Sequence, residues 1–124
     1  MNLRELTIER KNRKKNRIEP IFSIGPKGNL YINKPAVNLM SCKFWERVGL
    51  FNDTDAPNNW YISVSNNGVK VYYFKNDTLG GRGATDYYKR LSQQFGISGV
   101  VRFSIHPQPS EIDGNKYYRL IVKK

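Results

Sequence analysis

The stretch IFSIGPKGNLYINKPAVNLM, residues 21–40, decides the fold of this chain. Its apolar residues recur at every second position on both sides of Gly25-Pro26-Lys27-Gly28, a run with the backbone freedom and fixed φ angle of a tight turn. The pattern predicts two strands, Ile21–Ile24 and Asn29–Asn33, joined as a hairpin. Pro35 suits the first position of a helix, so a short helix is expected to follow directly.

Similar alternation continues through the rest of the chain. The Asn66-Asn67-Gly68 turn is expected to join its two flanking strands as a second hairpin. A flexible loop that could touch a phosphate backbone is expected at Leu79-Gly80-Gly81-Arg82-Gly83. It lacks the Lys-Ser/Thr pair of a nucleotide-binding loop. The further predicted strands are Arg47–Phe51, Trp60–Ser65, Val69–Lys75, Gly99–Ile105 and Lys116–Lys123.

A longer helix is expected between Thr85 and Phe95. Thr85 offers a capping oxygen, Tyr88, Leu91 and Phe95 form one apolar stripe, and Gly96 suits the helix end. The predicted fold class is α+β: a strand-dominated, curved antiparallel sheet built of hairpins, with one short and one medium helix. No internal repeat is evident in the sequence.

Length and charge point to one basic domain with a basic arm. The chain has 124 residues, and 21 Lys and Arg face 10 Asp and Glu, which gives a net charge of +11. We expect a flexible arm over residues 1–19, which carry a net +4, and a single domain over residues 20–124, which carry +7. Because the domain is basic without the arm, a polyanion such as nucleic acid is the expected partner.

The composition also argues against several other classes of protein. No apolar run is long enough for a membrane span and no signal-peptide stretch is present, so the sequence predicts a soluble, intracellular protein without a membrane partner. Cys42 and His106 are each the only residue of their type, which leaves disulfides, metal clusters and catalytic triads short of parts. Cys42 is expected to be a small core residue. We therefore expect neither an enzyme nor a cofactor or metal site.

The strands carry two different sets of alternate residues. One set is apolar and is expected to form the core: Leu30, Ile32, Trp60, Ile62, Val64, Val69, Val71, Tyr73, Val101, Phe103, Ile105, Tyr118, Leu120 and Val122. The opposite set mixes tyrosines with cations, which is typical of surfaces that stack unpaired bases and neutralise phosphates. The alternative is that these tyrosines are only good strand formers and the cations only solvating residues.

The opposite set supplies most of the predicted nucleic-acid-binding residues; Lys27 and Lys34 come from the first hairpin and Arg82 from the glycine-rich loop. The tyrosines expected to stack bases are Tyr31, Tyr61, Tyr72 and Tyr117. The cations expected on phosphates are Lys27, Lys34, Lys70, Arg82, Arg102 and Arg119, with the arm adding Arg10, Lys11, Arg13, Lys14, Lys15 and Arg17. The expected ligand is single-stranded nucleic acid, because duplex DNA offers no free base faces. DNA is favoured, with RNA as the alternative, since stacking does not by itself read the 2′-hydroxyl.

The segment Phe22–Leu39 resembles the opening of small proteins of Bacteroides-type gut bacteria and their phages, with the strand-to-helix step Ile32-Asn33-Lys34-Pro35-Ala36. Some of these proteins are similar to the positive-cofactor-four and Whirly group of single-stranded DNA-binding transcription factors. The resemblance implies a homodimer or higher oligomer whose curved sheet binds unpaired DNA. The positions that match the group's binding residues in character are Lys27, Lys34, Lys70, Tyr72, Arg102 and Arg119.

Two alternatives stay open. Residues Gly28–Leu39 also resemble the AbrB-like swapped-hairpin regulators, which implies a dimer that binds duplex DNA. A phage structural or assembly protein would instead use its tyrosine face as an interface and lay its arm on nucleic acid or an acidic partner. The main hypothesis is a non-enzymatic accessory of bacterial or phage transcription, replication or recombination, located in the nucleoid or in the cytoplasm of an infected host.

Overall fold

Strands alternate with two helices along the residues that the computed structural model describes, 19–43, 45–74 and 78–123. All of the predicted arm except Glu19 lies outside these residues. The elements are β1 (Ile21–Ile24), β2 (Leu30–Ile32), α1 (Lys34–Met40), β3 (Arg47–Asn52), β4 (Trp60–Val64), β5 (Val69–Tyr73), β6 (Leu79–Gly81), α2 (Thr85–Phe95), β7 (Val101–Ile105), β8 (Ser110–Ile112) and β9 (Asn115–Lys123).

The strands form a sheet that closes on itself. Its order is β4-β3-β5-β6-β2-β1-β7-β9-β8, and β4 also pairs with β9, which joins the two sides. The pairings are antiparallel, and the apolar alternate residues point into the enclosed core, where Phe22 and Phe103 stack with ring centroids 5.9 Å apart. The predicted α+β, strand-rich class is confirmed. No helix in the described ranges is long and apolar enough to cross a membrane.

The closed sheet contains an internal repeat. β1, β2, α1, β3 and β4 form one half, and β5, β6, α2, β7 and β9 form the other, with β8 added to β9. Exchanging the halves maps each strand pairing onto another one, except that β2–β6 and β4–β9 map onto themselves. Strands of different halves pair at four places, β1–β7, β3–β5, β2–β6 and β4–β9, so the two halves interlace as two subunits of a dimer would.

Helix α1 begins where the sequence predicts. Asn33 is its N-cap, and its side-chain oxygen accepts hydrogen bonds from the Ala36 N–H at 3.1 Å and the Ile21 N–H at 2.9 Å. The Asn33 amide also donates to the Glu19 carbonyl at 2.9 Å, so one side chain joins α1, β1 and the residue that ends the predicted arm. The hydrogen bond donated by Ser104, and then the contact with Lys123, lower the pKa of Glu19.

The predicted hairpin of β4 and β5 is wrong. The two strands follow each other in sequence, but β3 lies between them, and Val48 pairs with Val64 on one side and Val69 on the other. The connecting turn crosses β3, with the Ser65 N–H donating to the Arg47 carbonyl at 2.8 Å. Asn66-Asn67-Gly68 does form a turn, as predicted. Which strands pair, however, depends on residues that are distant in the sequence.

Three smaller expectations also fail. Leu79–Gly81 is a strand rather than a flexible loop, because the buried Leu79 anchors it in the core. Thr85 is the first residue of α2 and not its cap: Ala84 is the N-cap, without a side-chain hydrogen bond. Val64 and Tyr73, both predicted to lie in the core, are exposed because they stand at strand ends.

Replacing Gly68 by alanine should strongly destabilise the fold. A Cβ at this position would lie 2.1 Å from the Val48 carbonyl oxygen, so the turn across β3 could not keep its place. We expect G68A to lower the free energy of unfolding by about 3 kcal/mol, measured by urea denaturation. The control G25A has its nearest atom at 3.9 Å and should cost less than about 1 kcal/mol. Equal losses would contradict the proposed close approach.

Candidate nucleic-acid interface

A groove of about 670 Å³ lies on the outer face of the sheet over β6. Its floor is made of glycine: Gly80 pairs with Tyr31 of β2 on one side and with Tyr72 of β5 on the other. A Cβ on Gly80 would lie 3.2 Å from the Tyr31 ring, so that ring leans over the bare backbone. We call this site, lined by the residues described below, the glycine groove.

Aromatic side chains form the walls of the glycine groove. They are Tyr31, Tyr72, Tyr73 and Phe74. The rings of Tyr31 and Phe74 are 4.9 Å apart and tilted by 58°. Tyr72, Tyr73 and Phe74 are 53%, 68% and 53% exposed, which leaves aromatic surface facing the solvent. Exposed rings at this density are typical of a binding site.

Three cations share the groove with these rings. Arg47 and Lys70 lie directly opposite each other on β3 and β5, and Arg82 follows β6. The Lys70 ammonium lies 5.5 Å from the centre of the Tyr72 ring, and Arg47 Nη1 donates to the Gly68 carbonyl at 3.2 Å. Among the described residues that line the groove none is acidic. The groove therefore has a positive potential suited to an anion.

The structure brings together four of the ten predicted domain residues in the glycine groove. These are Tyr31, Lys70, Tyr72 and Arg82. Arg102 lies outside the groove on β7, at a position paired with Ser23, which is itself paired with Tyr31. Lys27 is exposed in the turn between β1 and β2, and Lys34 is exposed at the start of α1. The predicted arm residues lie outside the described part of the chain.

Three predicted residues lie on a surface other than the glycine groove, at the junction of β4 and β9: Tyr61, Tyr117 and Arg119. Tyr61 pairs with Phe51 on β3 and with Arg119 on β9. The rings of Phe51 and Tyr117 meet edge to face at 5.1 Å, and Arg119 Nη2 donates to Asn59 Oδ1 at 3.0 Å. Because the sheet is closed, outward residues of distant strands point in different directions, so the predicted set does not form one trough.

Sequence reasoning missed three residues of the groove. Arg47 begins β3, in a segment whose alternation is ambiguous, and its pairing with Lys70 follows only from the position of β3 between β4 and β5. Tyr73 was assigned to the core by strict alternation, and Phe74 directly follows the strand. A run of three adjacent aromatics at a strand end was the available signal.

The described residues offer little for catalysis or metal binding. No three His, Cys, Asp or Glu side chains come together there as a metal site requires. Cys42 is buried, as predicted, and burial, followed by the charge of Glu46, raises the pKa of its thiol to about 11. At neutral pH the thiol is thus protonated and a poor nucleophile.

Comparison with known proteins adds no assignment: no protein-family model matches the chain, and neither curated proteins nor solved structures give a match.

Cys42 should react slowly with alkylating reagents in the folded protein. Its raised pKa keeps the thiolate scarce at pH 8, and its side chain is buried. We expect iodoacetamide labelling, followed by mass spectrometry, to be at least about tenfold faster in denaturant than in buffer. Labelling of the folded protein at the denatured rate would contradict this placement of the thiol.

Proposed function

We propose that this protein binds single-stranded nucleic acid, DNA in preference to RNA, in the glycine groove and without catalysing a reaction. The observation that carries the proposal is the cross-strand pair Arg47 and Lys70, placed beside the exposed Tyr72 ring. Like charges directly opposite each other destabilise a sheet. An anion bound between them would remove that repulsion, and a phosphate diester is an anion that also brings an aromatic base.

The spacing in the groove suits a nucleotide. Lys70 and Tyr72 are two residues apart on the same face of β5, which separates their Cα atoms by roughly 6.6 Å. A phosphate on Lys70 and Arg47 would leave its base within reach of the Tyr72 ring. Stacking on a ring requires an unpaired base, so this arrangement favours a single strand over a duplex.

The proposed role of the protein follows from its proposed ligand. An accessory of bacterial or phage transcription, replication or recombination needs affinity for exposed single strands without sequence readout, which stacking and phosphate contacts supply. Dimerisation, which the family resemblance implies, stays a prediction. Within one chain, the two halves of the sheet already pair with each other.

Removing either kind of groove contact should weaken single-strand binding. We expect Y72A to lower the affinity for an oligothymidylate at least about fivefold through lost stacking. K70A should lower it about tenfold and should reduce the slope of log K against log salt by about 0.7, the value of one phosphate contact on a single strand. Fluorescence anisotropy across a salt series measures both effects.

The matched control is K89A, which removes one exposed lysine from α2, away from the groove. It should change the affinity less than about twofold, because one distant surface charge is largely screened. Far-UV circular dichroism would check that each variant folds. If K89A and K70A weakened binding equally, the attraction would come from net charge alone and the groove would lose its role.

A second candidate is an AbrB-like regulator that binds duplex DNA, and the internal repeat favours it. The AbrB-like group interlaces strands, a short Pro-led helix and a hairpin between two subunits. This chain has the same order of elements twice, with Pro35 in α1, and interlaces them within one molecule. The second candidate is therefore supported by the repeated fold, but the exposed rings of the glycine groove do not support it.

A direct comparison of substrates separates the two candidates. The full chain is titrated with one labelled oligonucleotide, either alone or annealed to its complement, at one salt concentration. Stacking in the groove predicts tighter binding to the unpaired form, by at least about tenfold, since stacked bases contribute 1–3 kcal/mol each, as an order of magnitude. Preference for the duplex would replace the first candidate with the second.

A further inference from the structure

One row of outward-facing residues leaves the glycine groove and crosses the sheet. The strand register pairs Tyr72 with Gly80 and Gly80 with Tyr31. It then pairs Tyr31 with Ser23 and Ser23 with Arg102. Residues paired in this way lie directly opposite each other on one face, so the row spans five neighbouring strands.

Apart from the Tyr72 and Tyr31 rings, this row, which we call the track, carries no bulky side chain before the cation at its far end. Gly80 has no side chain, and Ser23 is small and stands between the fully buried Phe22 and Ile24, so it points outward. Arg102 is exposed, between the buried Val101 and Phe103. No residue of the row is acidic.

The next residue across the sheet closes the track. Arg102 pairs with Lys123 on β9, but the Lys123 ammonium lies 2.9 Å from a carboxylate oxygen of Glu19. Glu19 compensates the charge of Lys123, so a phosphate beyond Arg102 would gain little from that lysine. The row from Tyr72 to Arg102 covers four strand intervals, or roughly 19 Å at 4.8 Å each.

We infer that a single strand held in the glycine groove leaves it over Ser23 and that Arg102 binds one of its phosphates. This inference rests on the proposed function and specifies its path. At the 3.4 Å rise of a stacked strand, about six nucleotides would cover the row, and a stretched strand would need fewer. Contacts at Arg102 should therefore matter only for ligands long enough to reach it.

The test uses the full chain and two labelled oligothymidylates, of about three and about twelve nucleotides, in fluorescence anisotropy. We expect R102A to weaken binding of the longer ligand about fivefold and to leave binding of the shorter ligand within about twofold. S23E, which places a carboxylate on the track, should produce the same pattern by repelling the phosphates. K89A serves as the control and should affect neither length.

The outcomes keep the path and the groove apart. If K70A and Y72A weaken both lengths while R102A and S23E change neither, the groove is retained and the path is overturned. A length-dependent loss in R119A and none in R102A would also overturn it, because the strand would then run toward the junction of β4 and β9. If neither oligonucleotide binds the wild-type protein, the proposed function itself fails and the path fails with it.

Discussion

The absence of side chains at Gly80 and Gly81 of β6 is the constraint on which both the fold and the groove depend. Gly81 faces inward, and a Cβ there would lie 2.8 Å from the Lys70 carbonyl oxygen and 2.9 Å from a methyl group of Val69. β5 could then not lie as close to β6, and β6 is the strand that joins the second half of the sheet to β2. Gly80 faces outward and leaves the groove floor bare. The same two glycines thus allow the sheet to close and create the site.

The glycine groove departs from the pattern of buried apolar side chains and paired polar groups that the rest of the described structure follows. Buried side-chain polar atoms in the described residues all have hydrogen-bond partners, and the core is apolar throughout apart from Ser63. At the groove, by contrast, Arg47 faces Lys70, and large aromatic rings are exposed to solvent. Local conflicts of this kind lower stability and tend to occur where a protein binds something. Cations and exposed aromatic rings lie together here, so the proposed ligand is one that combines an anion with an aromatic group.

How far the sequence predicted the structure depended on the range of the interactions involved. The β1–β2 hairpin, α1 and the extent of α2 were predicted because turns, caps and stripes act between neighbours. The β4–β5 pairing was wrong because β3 inserts between those strands, which no local signal reports. Tyr31, Lys70 and Tyr72 were found by alternation, since parity decides which residues face outward. Parity does not tell which outward residues lie together on a closed sheet, and so Tyr61 was grouped with them wrongly.

The internal repeat points to the same candidate site independently of the groove's shape. Exchange of the halves places Lys70 at the position of Ile21 and Arg47 at that of Ser104, because Lys70 pairs with Arg47 as Ile21 pairs with Ser104. The same exchange places Tyr72 at the position of Ser23. The backbone is thus repeated, but the cations and the exposed ring occur on one side only. A repeat kept for stability alone would have no reason to concentrate like charges in one of two equivalent places. The side chains that break the symmetry are therefore the ones that we assign to the proposed ligand.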